Sequence, residues 1–83
     1  MTPSKVYFAD FRATYEENLL QKLTRLIDTA GLGTIPMKNR YAAIKMHFGE
    51  PGNLAFLRPN YAKAVADYVR KQGGKPFLTD CNT

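Results

Sequence analysis

One stretch, Ala42 to Asn53, constrains the fold of this chain more than any other. It reads A-A-I-K-M-H-F-G-E-P-G-N, an apolar run with strand character that ends at Phe48 and passes into a glycine- and proline-rich turn. The chain's single histidine, His47, lies where strand becomes turn. Ligands of parallel sheets are usually held at the C-terminal ends of the strands. The stretch therefore predicts a core strand that delivers a functional loop.

Two other segments have strand character. Lys5–Ala9 is a short continuous apolar run of the kind found in parallel strands, and Lys75–Thr79 is a second one after a glycine pair. Between them, Tyr41–Phe48 alternates so that Lys45 and His47 share a face. Because a lysine on a fully buried strand is costly, we expect this strand to lie at an edge or beside a cleft.

Two amphipathic helices separate the predicted strands. Thr14 and Glu17 have the spacing of a capping box, and a leucine stripe follows as far as Gly31, a suitable left-handed stop. Arg58-Pro59 opens the second helix, since proline is tolerated in a first turn. The order β-α-β-α-β predicts an α/β fold with a short parallel sheet between two helical layers, strand order 2-1-3. We expect residues 1–83 to form one domain or the N-terminal part of a larger one.

Composition limits the functional classes. The formal net charge is +5, but the basic residues are dispersed, which does not favour nucleic acid as a partner. No apolar run approaches the length of a membrane span and no signal peptide is evident, so we expect a cytoplasmic protein. Cys81 is the single cysteine, so this chain alone can supply neither a disulfide nor the four thiolates of an iron–sulfur cluster.

The strand ends carry the candidate acid/base and metal-binding residues. His47 suits proton transfer or metal binding; the alternative is a histidine that only hydrogen-bonds a neighbouring loop. Glu50 follows three residues later, and Asp80 follows the last strand. We predict that His47, Glu50 and Asp80 could hold a metal ion, although no standard ligand spacing is present.

The same loop has features of an anion or cofactor site. The backbone of Gly49, Gly52 and Asn53 could direct N–H groups at an anion, with Lys45 and Arg58 adding charge. Asn82, at the far end of the last strand, completes the predicted cofactor-binding set. The loop matches no standard phosphate-binding motif, and Pro-Gly is also an ordinary turn signal. The class of cofactor is not defined by these residues.

Three blocks of the sequence resemble a known family. They are V-Y-F-A-D-F-R-A, then A-I-K-M-H-F-G-E-P-G-N with F-L-R-P-N-Y, and finally G-G-K-P-F-L-T-D-C-N-T. Together they resemble the N-terminal segment of the family known as domain of unknown function 362. Its members are usually several times longer, and many carry a ferredoxin-like cysteine box and are described as iron–sulfur cluster-binding proteins. This chain lacks that box, and Cys81 stands where the family's T-D-T-N-T pattern has threonine.

Two functional hypotheses follow. In the first, the chain is a ligand-binding α/β module of a redox-associated protein that holds a metal, a cofactor or an anionic small molecule at the loop His47–Asn53. In the second, it is a structural or interaction half-domain completed by a second copy, another chain or the C-terminal part of a longer protein. The sequence does not decide whether the protein is an enzyme.

Overall fold

The computed structural model describes residues 3–81, which fall into two compact units, Met1–Ile35 and Pro36–Thr83. The first unit contains helix α1 (Leu19–Thr29) and a short 3-10 turn (Leu32–Thr34). The second contains strand β1 (Tyr41–Lys45), helix α2 (Pro59–Lys71) and strand β2 (Lys75–Thr79). None of the helices among residues 3–81 is long and apolar enough to cross a membrane.

Helix α1 begins four residues later than predicted. The Thr14–Glu17 pair makes its own turn, in which the Glu17 N–H donates to Thr14 Oγ1 at 3.1 Å. The capping box that starts the helix is instead formed by Asn18 and Gln21. A second capping sequence directly before the leucine stripe therefore sets the helix start. Gly31 does end the helical segment with a φ of 98°, as predicted.

The predicted first strand is not formed, so the described residues contain a sheet of two strands instead of the predicted three. Lys5–Ala9 lies along α1 without a strand partner, and Val6 and Phe8 are 88% and 85% exposed. Lys22 fixes the following turn, since its ammonium group donates to the side chain and carbonyl of Asp10. These contacts lie just after the segment and hold the chain beside α1. An apolar run alone does not supply the neighbouring strand that a ladder requires.

The second unit is an α/β arrangement with a parallel sheet, as predicted. Strands β1 and β2 pair directly in parallel, with Ala43 opposite Phe77, so the predicted strand order 2-1-3 is wrong. Helix α2 packs on the sheet and gives this unit two layers. The predicted third layer would be α1, which belongs to the first unit, so the three-layer arrangement stays a prediction. The prediction of one domain or an N-terminal fragment of one stays a prediction.

The small core of the second unit lies between α2 and the chain that leads into β1. Four apolar residues are buried in the described part of the chain: Met37, Ala62, Tyr68 and Val69. Helix α2 begins at Pro59 and ends before Gly73, whose φ is 87°, as the sequence predicts. Gly74 is also buried, and a Cβ there would lie 2.7 Å from Val69 Cγ1. The close turn brings β2 directly back beside β1.

Strand β1 is shorter than predicted, and the reason defines the site. The ladder continues through the Met46 N–H, which donates to the carbonyl of Thr79 at 3.0 Å. Beyond Thr79, strand β2 has ended, and the backbone N–H of Phe48 bonds to the side chain of Asp80 instead. A carboxylate therefore replaces the next rung of the ladder.

Candidate functional site

The ends of β1 and β2 bring a histidine and a carboxylate together. His47 Nδ1 lies 3.4 Å from Asp80 Oδ2, and the two side chains are 44% and 15% exposed. Parallel strands place their C-terminal ends at one edge, so this meeting follows from the β-α-β connection. The site belongs entirely to the second unit.

Asp80 is held by three donors. Its Oδ1 accepts the Cys81 N–H at 2.7 Å, while the carboxylate also accepts from His47 and from the Phe48 backbone. The Cys81 N–H above all, with the His47 ring and the Phe48 N–H, lowers the pKa of the Asp80 carboxyl below its ordinary value, and desolvation partly opposes this. Asp80 is therefore held as a carboxylate beside the imidazole at neutral pH.

Asn53 defines which nitrogen of His47 carries the proton. Its Oδ1 accepts the Ala55 N–H at 2.9 Å, so its amide nitrogen is the atom that faces His47 Nε2 at 3.3 Å. Because that amide can only donate, we assign the acceptor role to Nε2 and the ring proton to Nδ1, which faces Asp80. Both ring contacts are long for hydrogen bonds and can tighten around a ligand.

The turn is built to hold Asn53 in this place. The Asn53 N–H donates to the Glu50 carbonyl at 2.9 Å, and Gly52 has a φ of 83°, the pattern of a type II turn with proline second. Gly49 has a φ of 99°, and a Cβ there would lie 2.9 Å from Phe56 Cε1. Glycine at position 49 therefore leaves room for the Phe56 ring.

Phe56 and Phe48 are parts of the site that the sequence reasoning missed. The Phe56 ring packs edge-on against His47, with centroids 6.2 Å apart and an interplanar angle of 78°. Phe48 contributes its backbone N–H to Asp80. Gly49 was the one feature of the sequence that could have indicated a close approach of the Phe56 ring to the loop. A backbone donor leaves no trace in residue type.

Not all of the predicted site residues join this cluster. Lys45 is exposed at the end of β1, opposite Thr79 and two residues before His47, and Arg58 is the exposed N-cap of α2. Glu50 is exposed in the turn, and among residues 3–81 no three His, Cys, Asp or Glu side chains are grouped to hold a metal. Metal binding stays a prediction, and Asn82 lies outside the described residues.

Comparison with known families covers this same region. A family model described as Domain of unknown function (DUF362) matches residues 42–83, just over half of the chain, from β1 through the last strand. The match includes the Asn53–His47–Asp80 cluster and excludes the first unit. The same comparisons found no match among curated proteins or solved structures. The chain therefore belongs to the DUF362 family, whose domain is one of unknown function.

Proposed function

We propose that this chain is a ligand-binding α/β module and that its ligand sits at the loop His47–Asn53. The observation that carries the proposal is the ordered ring of His47, with Asp80 on one nitrogen and Asn53 on the other. A histidine that only bridges two loops would have a fixed tautomer as well, so the feature that favours a ligand is the partial exposure of the His47 side chain, at 44%. Here the Nε2 lone pair lies behind one long contact, to an amide that an incoming ligand can displace.

A metal ion is one ligand class that this arrangement supports. Metal-bound histidines usually donate their other ring N–H to a carboxylate, which fixes the ring and raises its basicity. In this reading His47 binds through Nε2 and Asp80 orients the ring without binding the metal itself. Glu50, which is exposed in the turn three residues after His47, is the acidic residue that could complete such a site.

An anionic small molecule or cofactor is the other class. Lys45 and Arg58 are exposed and lie on the elements that lead into and out of the loop. The chain as a whole carries a net charge of +5, which attracts anions. The Nδ1–H tautomer beside Asp80 also suits a group that accepts a proton at Nε2, because the carboxylate stabilises the resulting cation.

A redox setting forms part of the proposal through the family resemblance alone. Members of the family are often described as iron–sulfur proteins, and the cytoplasm is the setting that we infer for this one. Cys81 alone cannot hold a cluster, so any cluster would come from residues outside this sequence.

A second candidate is an interaction module completed by another chain. The bonds from Lys75 N–H to the Arg40 carbonyl and from Met46 N–H to the Thr79 carbonyl fix which residues of β1 face β2. The parallel register then turns the backbone groups of Tyr41, Ala43 and Lys45 to the other side. That row of donors and acceptors could accept a strand from a second copy or from further chain.

Thermal melting of the 83-residue chain tests the first candidate. Probes are divalent metal ions, inorganic phosphate, nucleotides and flavin, each added to wild type, His47→Ala and Lys71→Ala. Lys71 is an exposed residue of α2 outside the cluster and serves as the control. A ligand at about 100 times its dissociation constant adds roughly 2.7 kcal/mol, a rise on the order of 10 °C for so small a domain.

We expect one probe class to raise the midpoint of wild type and of Lys71→Ala but not of His47→Ala. Glu50→Ala separates the two classes, since it should weaken a metal response and leave a phosphate response intact. A rise that is equal in His47→Ala would contradict a site at the loop. No rise with any probe, together with a dimer in light scattering, would favour the interaction module.

A further inference from the structure

A concave surface in the second unit is lined in part by Phe56, whose ring also contacts His47. It is a groove of about 620 Å³ between α2 and β2, here called the α2–β2 groove. Phe48, Phe56 and Phe77 contribute aromatic surface, and Ala62 and Ala66 leave space along the helix. Sites for small molecules typically have volumes of about 300–1,000 Å³ and mostly apolar walls. The groove has the size and lining of such a site.

Several large apolar side chains of the groove are exposed to solvent. Phe48, Phe77 and Leu78 are each about half exposed, at 51%, 47% and 48%. They line one continuous groove instead of being scattered singly. Contiguous apolar surface that is rimmed by polar residues is one feature of ligand-binding grooves.

The charges of the groove indicate the polar end of its ligand. Lys63 and Arg70 line it, and both hold the carboxylate of Asp67, at 2.7 and 3.1 Å. Asp67 itself is not part of the lining. The groove therefore presents two cations, one turn of helix before Ala66 and one turn after it, and Asp67 balances only one of their two charges. Charge complementarity favours a ligand with an anionic end.

The adjacent strand edge argues against an added β-strand as the occupant. In the parallel register, the backbone N–H and C=O groups of Phe77 bond to β1, and those of Pro76 and Leu78 point to the free edge. Proline has no N–H to donate at that edge. The free edge of β2 therefore cannot form a continuous ladder. A compact ligand held by apolar contact and charge fits the groove better than an extended peptide.

We propose that the α2–β2 groove binds a small amphipathic anion, an alkyl or aromatic body carrying one carboxylate. The apolar body lies against Phe77 and Ala66, and the carboxylate lies at Lys63 and Arg70. This site does not depend on the role of His47. The two sites share the Phe56 ring, so occupation of the groove should also change the environment of His47.

Isothermal titration calorimetry of the 83-residue chain tests the proposal with three probes below their micelle concentrations. Decanoate carries the predicted charge, decanol carries none, and decyltrimethylammonium carries the opposite one. We expect one equivalent of decanoate to bind. Decanol should bind about threefold more weakly, because an exposed ion pair contributes only a small part of the binding free energy. The cation should bind weakest. Equal binding of all three, or several equivalents per chain, would overturn the proposal.

Variants locate the site. Ala66→Phe fills the groove and should abolish decanoate binding, whereas Asn60→Phe adds the same ring at an exposed position of α2 outside the lining. Arg70→Gln should weaken decanoate binding about threefold and leave decanol unchanged, with Lys71→Gln as the matched control. If Ala66→Phe fails to fold, the Arg70→Gln comparison decides. Unchanged decanoate affinity in Arg70→Gln, or in a folded Ala66→Phe, would refute this site while leaving the His47 proposal intact.

Discussion

His47 and Asp80 lie 33 positions apart in the chain, yet His47 Nδ1 and Asp80 Oδ2 are separated by 3.4 Å. The contact exists because β1 and β2 run parallel and end at the same edge of the sheet. Asp80 also accepts the Phe48 N–H, so it closes the ladder and orients the histidine with one side chain. The candidate site and the end of the sheet are therefore one structural feature.

Acid should weaken this feature in a defined range. The pKa of the Asp80 carboxyl is lowered in the folded chain, first by the Cys81 N–H and then by His47 and Phe48. Near pH 4 the unfolded chain therefore binds more protons, so stability rises with pH there. The contribution is fully present above the unfolded pKa and is lost as pH falls through the folded one. We expect the melting midpoint of Asp80→Asn to fall less than that of wild type on acidification.

The acid measurement needs a comparison with the other carboxylates. The pKa values of Asp10 and Asp67 are also lowered, mainly by hydrogen bonds from Lys22 and Lys63. Asp67→Asn should therefore flatten the acid profile too, without affecting the His47 ring. Identical profiles for wild type and Asp80→Asn would show that the Asp80 contacts do not stabilise the fold.

Two glycines of the loop should differ in their tolerance of alanine. Gly49 and Gly52 both have positive φ values, of 99° and 83°, so alanine at either position costs about 1–2 kcal/mol. A Cβ at Gly52 meets nothing, whereas one at Gly49 would press on Phe56. We expect Gly49→Ala to lose roughly a further 1 kcal/mol in urea unfolding and to shift the His47 ring signals.

The Gly52→Ala variant is the control for that comparison, since it shares the backbone strain without the contact. Equal losses of unfolding free energy in the two variants, with unchanged His47 signals in Gly49→Ala, would mean that Phe56 is not packed against the loop as described.

Amide exchange should reveal which side of β1 is paired. The N–H groups of Ala42, Ile44 and Met46 face β2, whereas those of Tyr41, Ala43 and Lys45 face away. We expect slow exchange for the first set and fast exchange for the second. The amides of Lys5–Ala9 should also exchange fast, because that segment forms no ladder.

Protection of Tyr41, Ala43 and Lys45 that increases with protein concentration would mean that a second copy adds a strand to β1. It would favour the interaction module over the ligand-binding module.

Patterns that depend on local chemistry predicted the structure well. Lys75–Thr79 forms the strand expected of it, Pro59 starts α2, and Gly31 ends the α1 segment with a left-handed residue. The start of α2 and the end of α1 each depend on the conformational limits of one or two residues. The apolar run Lys5–Ala9 was misread because strand formation depends on a neighbour, which a local pattern does not contain.

The site was predicted in part for the same reason. Strand ends and a lone histidine pointed to His47, and parallel pairing pointed to Asp80 beside it. Sequence could not show that Asn53 would turn its amide to the ring, because that orientation depends on the backbone N–H of Ala55. The outward position of Glu50 likewise depends on the turn that Gly52 permits.

The measurement that tests the central claim most directly is the ¹⁵N spectrum of the His47 ring at about pH 8, where histidine side chains are normally neutral. His47 is the single histidine, so its two ring nitrogens need no assignment against others. We predict a protonated Nδ1 and an unprotonated Nε2, with Nε2 shifting when a ligand binds the loop. A proton on Nε2, or free exchange between the two tautomers, would contradict the ordered cluster on which the proposed function depends.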